Sequence, residues 1–310
     1  MKKVLYAMPI SAIQKEALSA LTGLSFIFAD RKEISDQDLT EAQIVIGNLS
    51  KEQLQKCTSL EWIQLDSAGC NHVLWLNDTI AITTASGAYG PAIAEHMIGC
   101  TLMVMKNLMR YEKQAPDWTN LGAVRTLDHS TVCSVGTGDI GSAVLSRMHM
   151  LGSRTIGVRR TLHDLPEWMD VQYTMENMDE ALAQSDVIAL SLPETAETIH
   201  MFDSRRMHKM KKGSILINVG RGSAIVTDDL IEMAKEKWFS GICLDVTDPE
   251  PLPRNNALWN QENVYITPHI SGKCNGEGTF ERIAAIIYHN LKHYLAGEPL
   301  EHTVSRTRQY

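Results

Sequence analysis

Six cysteines are scattered over 310 residues, at 57, 70, 100, 133, 243 and 274, with gaps of 13 or more. They form neither Cys-x-x-Cys pairs nor a disulfide-dense framework, so reduced and mostly buried thiols are expected. No run of five or six lysines or arginines occurs and the net charge is −8, which removes the electrostatic footprint of a nucleic-acid partner. No apolar helical stretch is long enough for a bilayer, which needs about 20 residues: the best, residues 98–109, is broken by Lys106 and Asn107. The opening MKKVLYAMPI puts basic residues before an apolar run, but Pro9 and Ser11 interrupt it, and Gln14, Lys15 and Glu16 follow with no cleavage-like site. It reads as a first strand, and the chain as a cytoplasmic protein with neither membrane nor nucleic acid as partner. Internal repeats and low-complexity tracts are also missing.

What is present is alternation. An apolar content of 44% over this length is enough for two packed cores. Between residues 3 and 84 the runs KVLYAM, LSFIF, QIVIGN, EWIQL and TIAITT alternate with helix-compatible segments that begin near Ser11, Ser35 and Ser50. A second series follows: STVCSV, TIGV, VIALSL, SILINV, GICLDV and NVYIT. Strand-helix alternation of this kind predicts parallel sheets, and two series predict two α/β domains. Residues 91–112 form a long helix candidate opening at Pro91. Phe280, Ile283, Ala284, Ile287, Leu291, Tyr294 and Leu295 recur at helical spacing and predict a closing helix. If that helix rejoins the first domain, the second is an insertion.

The stretch STVCSVGTGDIG places Gly136, Gly138 and Gly141 in a Gly-x-Gly-x-x-Gly spacing directly after a strand. Ile140, Val144, Leu145, Met148 and Leu151 then give the following helix an apolar face. The first glycine permits a tight turn, the second lets backbone approach a pyrophosphate, and the third lets helix pack on strand. The helix start at Asp139 and Ile140 would offer its N–H groups to the phosphates. A doubly wound, Rossmann-type dinucleotide fold is the expected result. Such a fold commonly carries a carboxylate after its next strand to hold the adenine ribose, yet TIGV is followed by Arg159 and Arg160. A carboxylate repels a 2′-phosphate, whereas a guanidinium donates charge-assisted, often bidentate bonds to one. Each such bond contributes about 1.5–3 kcal/mol, so one or two favour the phosphorylated cofactor by roughly 10- to 1,000-fold after desolvation. NADP(H) is therefore expected in preference to NAD(H).

Three later stretches, NVGRGS at 218–223, DVTDPEPLP at 245–253 and ITPHISG at 266–272, each follow an expected strand. That places them near the carboxyl ends of the strands, where open α/β sheets bind ligands. They offer Arg221, Glu250 and His269. Hydride transfer to a 2-oxo acid needs a cation for the carboxylate and an acid for the oxyanion that forms. Arg221 can clamp the carboxylate in a fork, His269 can give or take the proton, and Glu250 can orient and tune the ring.

In their order and spacing these stretches resemble the D-isomer-specific 2-hydroxyacid dehydrogenases. The likeness covers most of the chain: the glycine loop, the Leu192-Pro193 loop reaching Thr198, the Asn-Val-Gly-Arg-Gly stretch, the Asp-Val with a following Glu-Pro-Leu-Pro, and the Thr-Pro-His-Ile turn. The resemblance implies a smaller flavodoxin-like parallel α/β substrate domain split around an inserted Rossmann domain. Boundaries are expected at 1–97, 98–283 and 284–310, with a homodimer built mainly through the nucleotide domains. It implies a triad of Arg221, Glu250 and His269, and it puts Asp245 at the nicotinamide carboxamide. It puts Pro193 and Thr198 in the cofactor groove together with Val219, Gly220 and Gly272. The turn Ser67, Ala68 and Gly69 would offer backbone N–H groups to the substrate carboxylate. Arg159 and Arg160 look like those of the NADPH-preferring glyoxylate and hydroxypyruvate reductase branch.

Other marked residues take plainer readings. His289 and His293 stand at i, i+4 on the closing helix, but no Glu lies between them and no third ligand is marked, so no metal site is expected. Glu95 and His96 suit helix-end or packing roles, and Met103, Met105 and Met109 suit a packed contact. Tyr288 and Lys292 have the Tyr-x-x-x-Lys spacing of short-chain dehydrogenases, yet that class resembles a single domain whose differently spaced glycine loop opens near the chain start. The leading reading is an NADPH-dependent reductase of a small 2-oxo acid. A non-catalytic nucleotide-sensing protein is the competing class, because relatives of this fold act as transcriptional corepressors. The complete Arg/Glu/His set and the lack of a long disordered tail favour chemistry.

Overall fold

A computed structural model describes residues 1–272 and 277–309. The chain forms two compact units, Met1–Tyr89 with Cys274–Tyr310, and Gly90–Lys273, so the second is inserted into the first. The transitions expected at 97/98 and 283/284 would cut two helices, Gly90–Met105 and Glu277–Ala296. Each helix packs whole, the former with the second unit and the latter with the first.

The first unit holds a five-stranded parallel sheet of β1 (Lys2–Tyr6), β2 (Leu24–Phe28), β3 (Ile44–Ile46), β4 (Trp62–Gln64) and β5 (Ala81–Thr83), in the order β2-β1-β3-β4-β5. All three residues of β3 are fully buried, as a parallel strand covered on both faces requires. The helices between strands begin where serines stand. Ser11, Ser35 and Ser50 cap Ala12–Ser19, Asp36–Glu41 and Lys51–Lys56, and Gln14 and Gln53 complete capping boxes at the first and third.

The closing helix turns Ile283, Ile287 and Leu291 onto a core shared with Tyr6, Ile44 and Trp62. A buried polar chain ties it to the sheet. Trp62 Nε1 donates to Thr83 Oγ1 at 2.9 Å, Thr83 Oγ1 to Gln64 Oε1 at 2.7 Å, and Asn290 Nδ2 to the same Gln64 oxygen at 2.8 Å. Asn290 Oδ1 accepts from Glu301 N–H at 2.8 Å. Beyond it, Thr303 bridges Thr83 in antiparallel fashion at the sheet edge. Arg306 then donates to the carbonyls of Leu74, Leu76, Asn77 and Ile80.

The second unit holds seven parallel strands: β6 (Thr131–Val135), β7 (Arg154–Arg159), β8 (Val171–Thr174), β9 (Val187–Leu190), β10 (Ile215–Asn218), β11 (Gly241–Leu244) and β12 (Val264–Ile266). Their order, β12-β11-β10-β9-β6-β7-β8, is doubly wound with a switch between β6 and β9. The strand patterns supplied six of the seven. β8 is a half-buried edge strand, and Gln172 and Thr174 deny it an apolar run. The helix expected over 91–112 is two, Gly90–Met105 and Leu108–Gln114, because Asn107 turns left-handed at φ 55°, a conformation Asn tolerates. No helix among the described residues is long and apolar enough to cross a membrane.

Replacing Asn290 with Ala leaves Gln64 Oε1 and the Glu301 backbone short of partners inside a core, which costs about 2–4 kcal/mol. Urea unfolding should show that loss as a lower midpoint at unchanged slope; a shift within error would mean the buried chain contributes nothing.

Candidate active site

The glycine loop joins β6 to the helix Asp139–Met150, and its three glycines do different work. Gly136 has φ +94°, and a β-carbon there would lie 2.9 Å from Ser191 O. On Gly141 it would lie 1.9 Å from Gly136 O and 2.7 Å from Ser134 Oγ, so the helix rests on the turn. On Gly138 it would meet nothing within 4 Å. Gly138 is also the N-cap, and no side chain caps the helix. A helix start with an uncovered N-cap glycine is an anion site. In the same loop the Thr137 hydroxyl is buried without a partner. Asp139 turns its carboxylate away to accept from Gly90 N–H at 2.9 Å.

At the end of β7 the two arginines part. Arg160 is exposed and pairs with Glu197 at 2.7 Å. Arg159 is half-buried, and its guanidinium makes no hydrogen bond or ion pair among the described residues. The loop after β9 is pinned from within, since Thr198 Oγ1 donates to Pro193 O at 2.7 Å and accepts from Thr195 N–H at 2.8 Å. The Thr198 hydroxyl therefore serves the loop.

Asn218 shapes the loop after β10. Its Oδ1 accepts from Gly220 N–H at 3.1 Å and its Nδ2 donates to Arg221 O at 2.9 Å. Val219 and Gly220 are buried; a β-carbon on Gly220 would lie 2.6 Å from Leu192 O, and one on Gly222 would lie 2.0 Å from Thr247 C. The loops after β9, β10 and β11 thus touch backbone to backbone. Arg221 is half-buried and donates from Nη1 to Gly220 O at 2.7 Å.

Asp245, 2% exposed, follows β11. Its Oδ1 accepts from Thr267 Oγ1 at 2.6 Å and Ile270 N–H at 2.9 Å, and its Oδ2 from Ser271 N–H at 2.8 Å. Burial pushes this carboxyl up, but the bonds from Ser271, Thr267 and the two backbone N–H groups outweigh it and hold it below its ordinary value. One carboxylate so fixes the loop after β12, which includes His269 and leads to the half-buried Gly272. His269 itself takes φ +52°, a left-handed conformation that a non-glycine residue keeps only where its surroundings impose it. In that pose its Nδ1 lies 2.7 Å from Glu250 Oε1. In the tautomer that donates from Nδ1 to Glu250, Nε2 is the free ring acceptor.

The structure therefore brings Glu250 and His269 into contact and places Arg221 on the adjoining loop. Asn218, Thr267 and Ser271, which hold these loops, were not singled out from sequence; the only signal, for the first two, was a polar residue at the end of β10 and directly after β12. In the first unit, Ser67 Oγ donates to Gly69 O at 2.8 Å, and Ala68 is exposed. His289 is exposed and His293 Nδ1 lies 3.0 Å from Pro299 O, while Lys292 Nζ sits 5.8 Å over the Tyr288 ring. All four belong to the first unit, whereas the glycine loop belongs to the second.

The residues fit a nicotinamide dinucleotide: an open helix start behind Gly138, an unpaired guanidinium after β7, and a polar rim at the ends of β10 to β12. Comparison with known proteins gives the same fold. The model of the D-isomer specific 2-hydroxyacid dehydrogenase NAD-binding domain matches residues 98–271. An uncharacterized protein from the proB 3′ region of Corynebacterium melassecola is 30% identical over 277 residues, 85% of this chain and 88% of that one. A glyoxylate reductase of Thermofilum pendens is 30% identical over 285 residues, 86% of this chain and 81% of that one. Among solved structures, a D-isomer specific 2-hydroxyacid dehydrogenase family protein from Aeromonas salmonicida superposes with a TM-score of 0.86 at 30% identity, covering 98% and 99% of the two chains. An NADPH-dependent glyoxylate/hydroxypyruvate reductase from Sinorhizobium meliloti shares the fold, with a TM-score of 0.85 over both whole chains at 23% identity.

The clamp at Asp245 has a pH signature. Its carboxyl is lowered on folding, so the stabilisation is present above the ordinary value of 3.8 and is lost as pH falls through the lower folded value. Asp245→Asn should be less stable than the native chain at pH 7, and the difference should narrow as the solution is acidified below the ordinary value. Equal acid unfolding profiles would refute the clamp.

Proposed function

Because this chain belongs to the D-isomer specific 2-hydroxyacid dehydrogenase family, we propose that it is an NADPH-dependent reductase converting a small 2-oxo acid to the D-2-hydroxy acid. The observation that carries the reading is the 2.7 Å contact of His269 with Glu250, held by the Asp245 clamp beside the Arg221 loop. The glyoxylate reductases among its relatives support a small substrate.

Gly136, Gly138 and Gly141 with the helix start would hold the pyrophosphate. Arg159 would hold the 2′-phosphate, with Arg160 joining it only by giving up Glu197. Pro193, Thr198, Val219, Gly220, Asp245 and Gly272 would line the rest of the cofactor. A reduced nicotinamide supplies the hydride when bound; the remaining tasks fall to the chain. Arg221 binds the substrate carboxylate in a fork and fixes the carbonyl's orientation. His269 holds a proton at Nε2 and delivers it to the substrate oxygen as negative charge grows there. Glu250 keeps the ring turned and the other proton at Nδ1. In the reverse direction Nε2 takes the hydroxyl proton.

A homodimer is part of the same reading. Leu108, Trp118 and Val124 are 54%, 103% and 49% exposed within one segment of the second unit, and a symmetric copy would cover them. Sedimentation should find a dimer that Trp118→Asp weakens.

His269→Ala should lower kcat by about 100-fold or more while cofactor binding holds, and Tyr288→Phe should leave turnover nearly intact. Arg159→Asp should weaken NADPH far more than NADH in a binding titration. Unchanged kcat in the first variant, or equal loss of both cofactors in the last, would remove that residue from its assigned role.

A further inference from the structure

The helix Gly90–Met105 lies so close on β11 that a β-carbon on Gly241 would fall 2.5 Å from Val104 Cγ2. One helical turn before Val104 stands Cys100, and two residues along β11 from Gly241, on the same face of the strand, stands Cys243. The two side chains therefore lie on the same helix–strand contact. A further turn back, His96 brings Nε2 to 3.5 Å from that sulfur. Cys243 is 2% exposed, while Cys100 is only partly covered.

This arrangement separates Cys100 from the other thiols. The bond from Cys243 acts most strongly on it and favours the thiolate; burial opposes, and the His96 bond again favours the anion, so its pKa lies below the ordinary thiol value. As the buried donor, Cys243 is pushed the other way. Burial also pushes Cys57 up to about 11 and Cys133 to about 12, and Cys70 is buried with its sulfur facing Gln309 O. Cys274 lies outside the described residues. No group of three His, Cys, Asp or Glu side chains among the described residues is placed to hold a metal. A reactive thiolate with a second thiol behind it is the chemistry left.

We propose that Cys100 is a modification site, a nucleophilic thiolate that hydroperoxides oxidise and that Cys243 then resolves into a disulfide. In the first step the Cys100 sulfur attacks the terminal peroxide oxygen. The S–O bond forms as the O–O bond breaks, sulfur loses two electrons, and the alkoxide or hydroxide leaves with a proton carried by His96. In the second step the Cys243 sulfur attacks Cys100; the S–S bond forms, the S–O bond breaks, and water leaves with the Cys243 proton. Two thiols and one hydroperoxide thus give one disulfide, one alcohol or water, and one further water. Asp245 stands two residues beyond Cys243, so the bond forms beneath the strand end that carries the His269 loop. The proposal rests on the thiol cluster alone and is independent of the reductase reading.

The test treats the reduced full-length chain with limiting hydrogen peroxide, alkylates the remaining thiols and maps the peptides. A Cys100–Cys243 linked peptide should accumulate, with Cys100 lost about tenfold faster than Cys57, Cys70 or Cys133. In Cys243→Ser the sulfenic acid should persist and be trapped on Cys100 by dimedone, and His96→Gln should slow Cys100 oxidation about tenfold. Loss of all cysteines at one rate, or dimedone labelling of the native chain with no linked peptide, would overturn the proposal. Both outcomes are read in the unaltered protein, so neither depends on a variant folding.

Discussion

The position of His269 depends on a buried carboxylate. Asp245 has almost no exposure, and an ionised group in that state is tolerated only when its lone pairs are met. The Thr267 and Ser271 side chains and the Ile270 and Ser271 backbone N–H groups meet them, all from the segment after β12. The charge and the loop therefore need each other: the loop satisfies the carboxylate, and the carboxylate holds His269 in a left-handed pose that its own backbone resists. Glu250 then has only to accept from a ring already aimed at it.

Around this centre, placement is controlled by side chains that are missing. Gly141 lets the helix sit on the turn, and Gly220 and Gly222 let three neighbouring loops touch backbone to backbone. A methyl group at any of these sites would collide with main chain, which cannot swing aside as a flexible side chain can. The same closeness recurs at Gly241, where it seats the helix carrying His96 and Cys100 against β11. Polar chemistry in the second unit is thus gathered at the carboxyl ends of β10 to β12 by backbone packing.

Much of this was legible in the sequence because it is local. The serines at 11, 35 and 50 announce helix starts by a hydrogen bond three residues long, and the buried strands announce themselves as apolar runs. The glycine spacing and the loops bearing Arg221, Glu250 and His269 are local as well. What escaped is either non-periodic or non-local. β8 lacks an apolar run, and Asn107 breaks a helix by one backbone angle. Arg306 finds four carbonyls more than 200 positions away in the chain. The meeting of Cys100 with Cys243, and of Arg160 with Glu197, required the fold. Composition predicts reduced thiols and is silent on which of them the fold makes neighbours.

The central claim, reduction of a small 2-oxo acid at the expense of NADPH, is tested most directly with the unaltered protein. Nicotinamide absorbance should be followed with glyoxylate, hydroxypyruvate and larger branched or aromatic 2-oxo acids, with NADPH and NADH in parallel. Substrate-dependent loss of absorbance, faster with NADPH and leaving a D-2-hydroxy acid, is the predicted result. Tight NADPH binding with no turnover of any 2-oxo acid would contradict it and point to a nucleotide sensor.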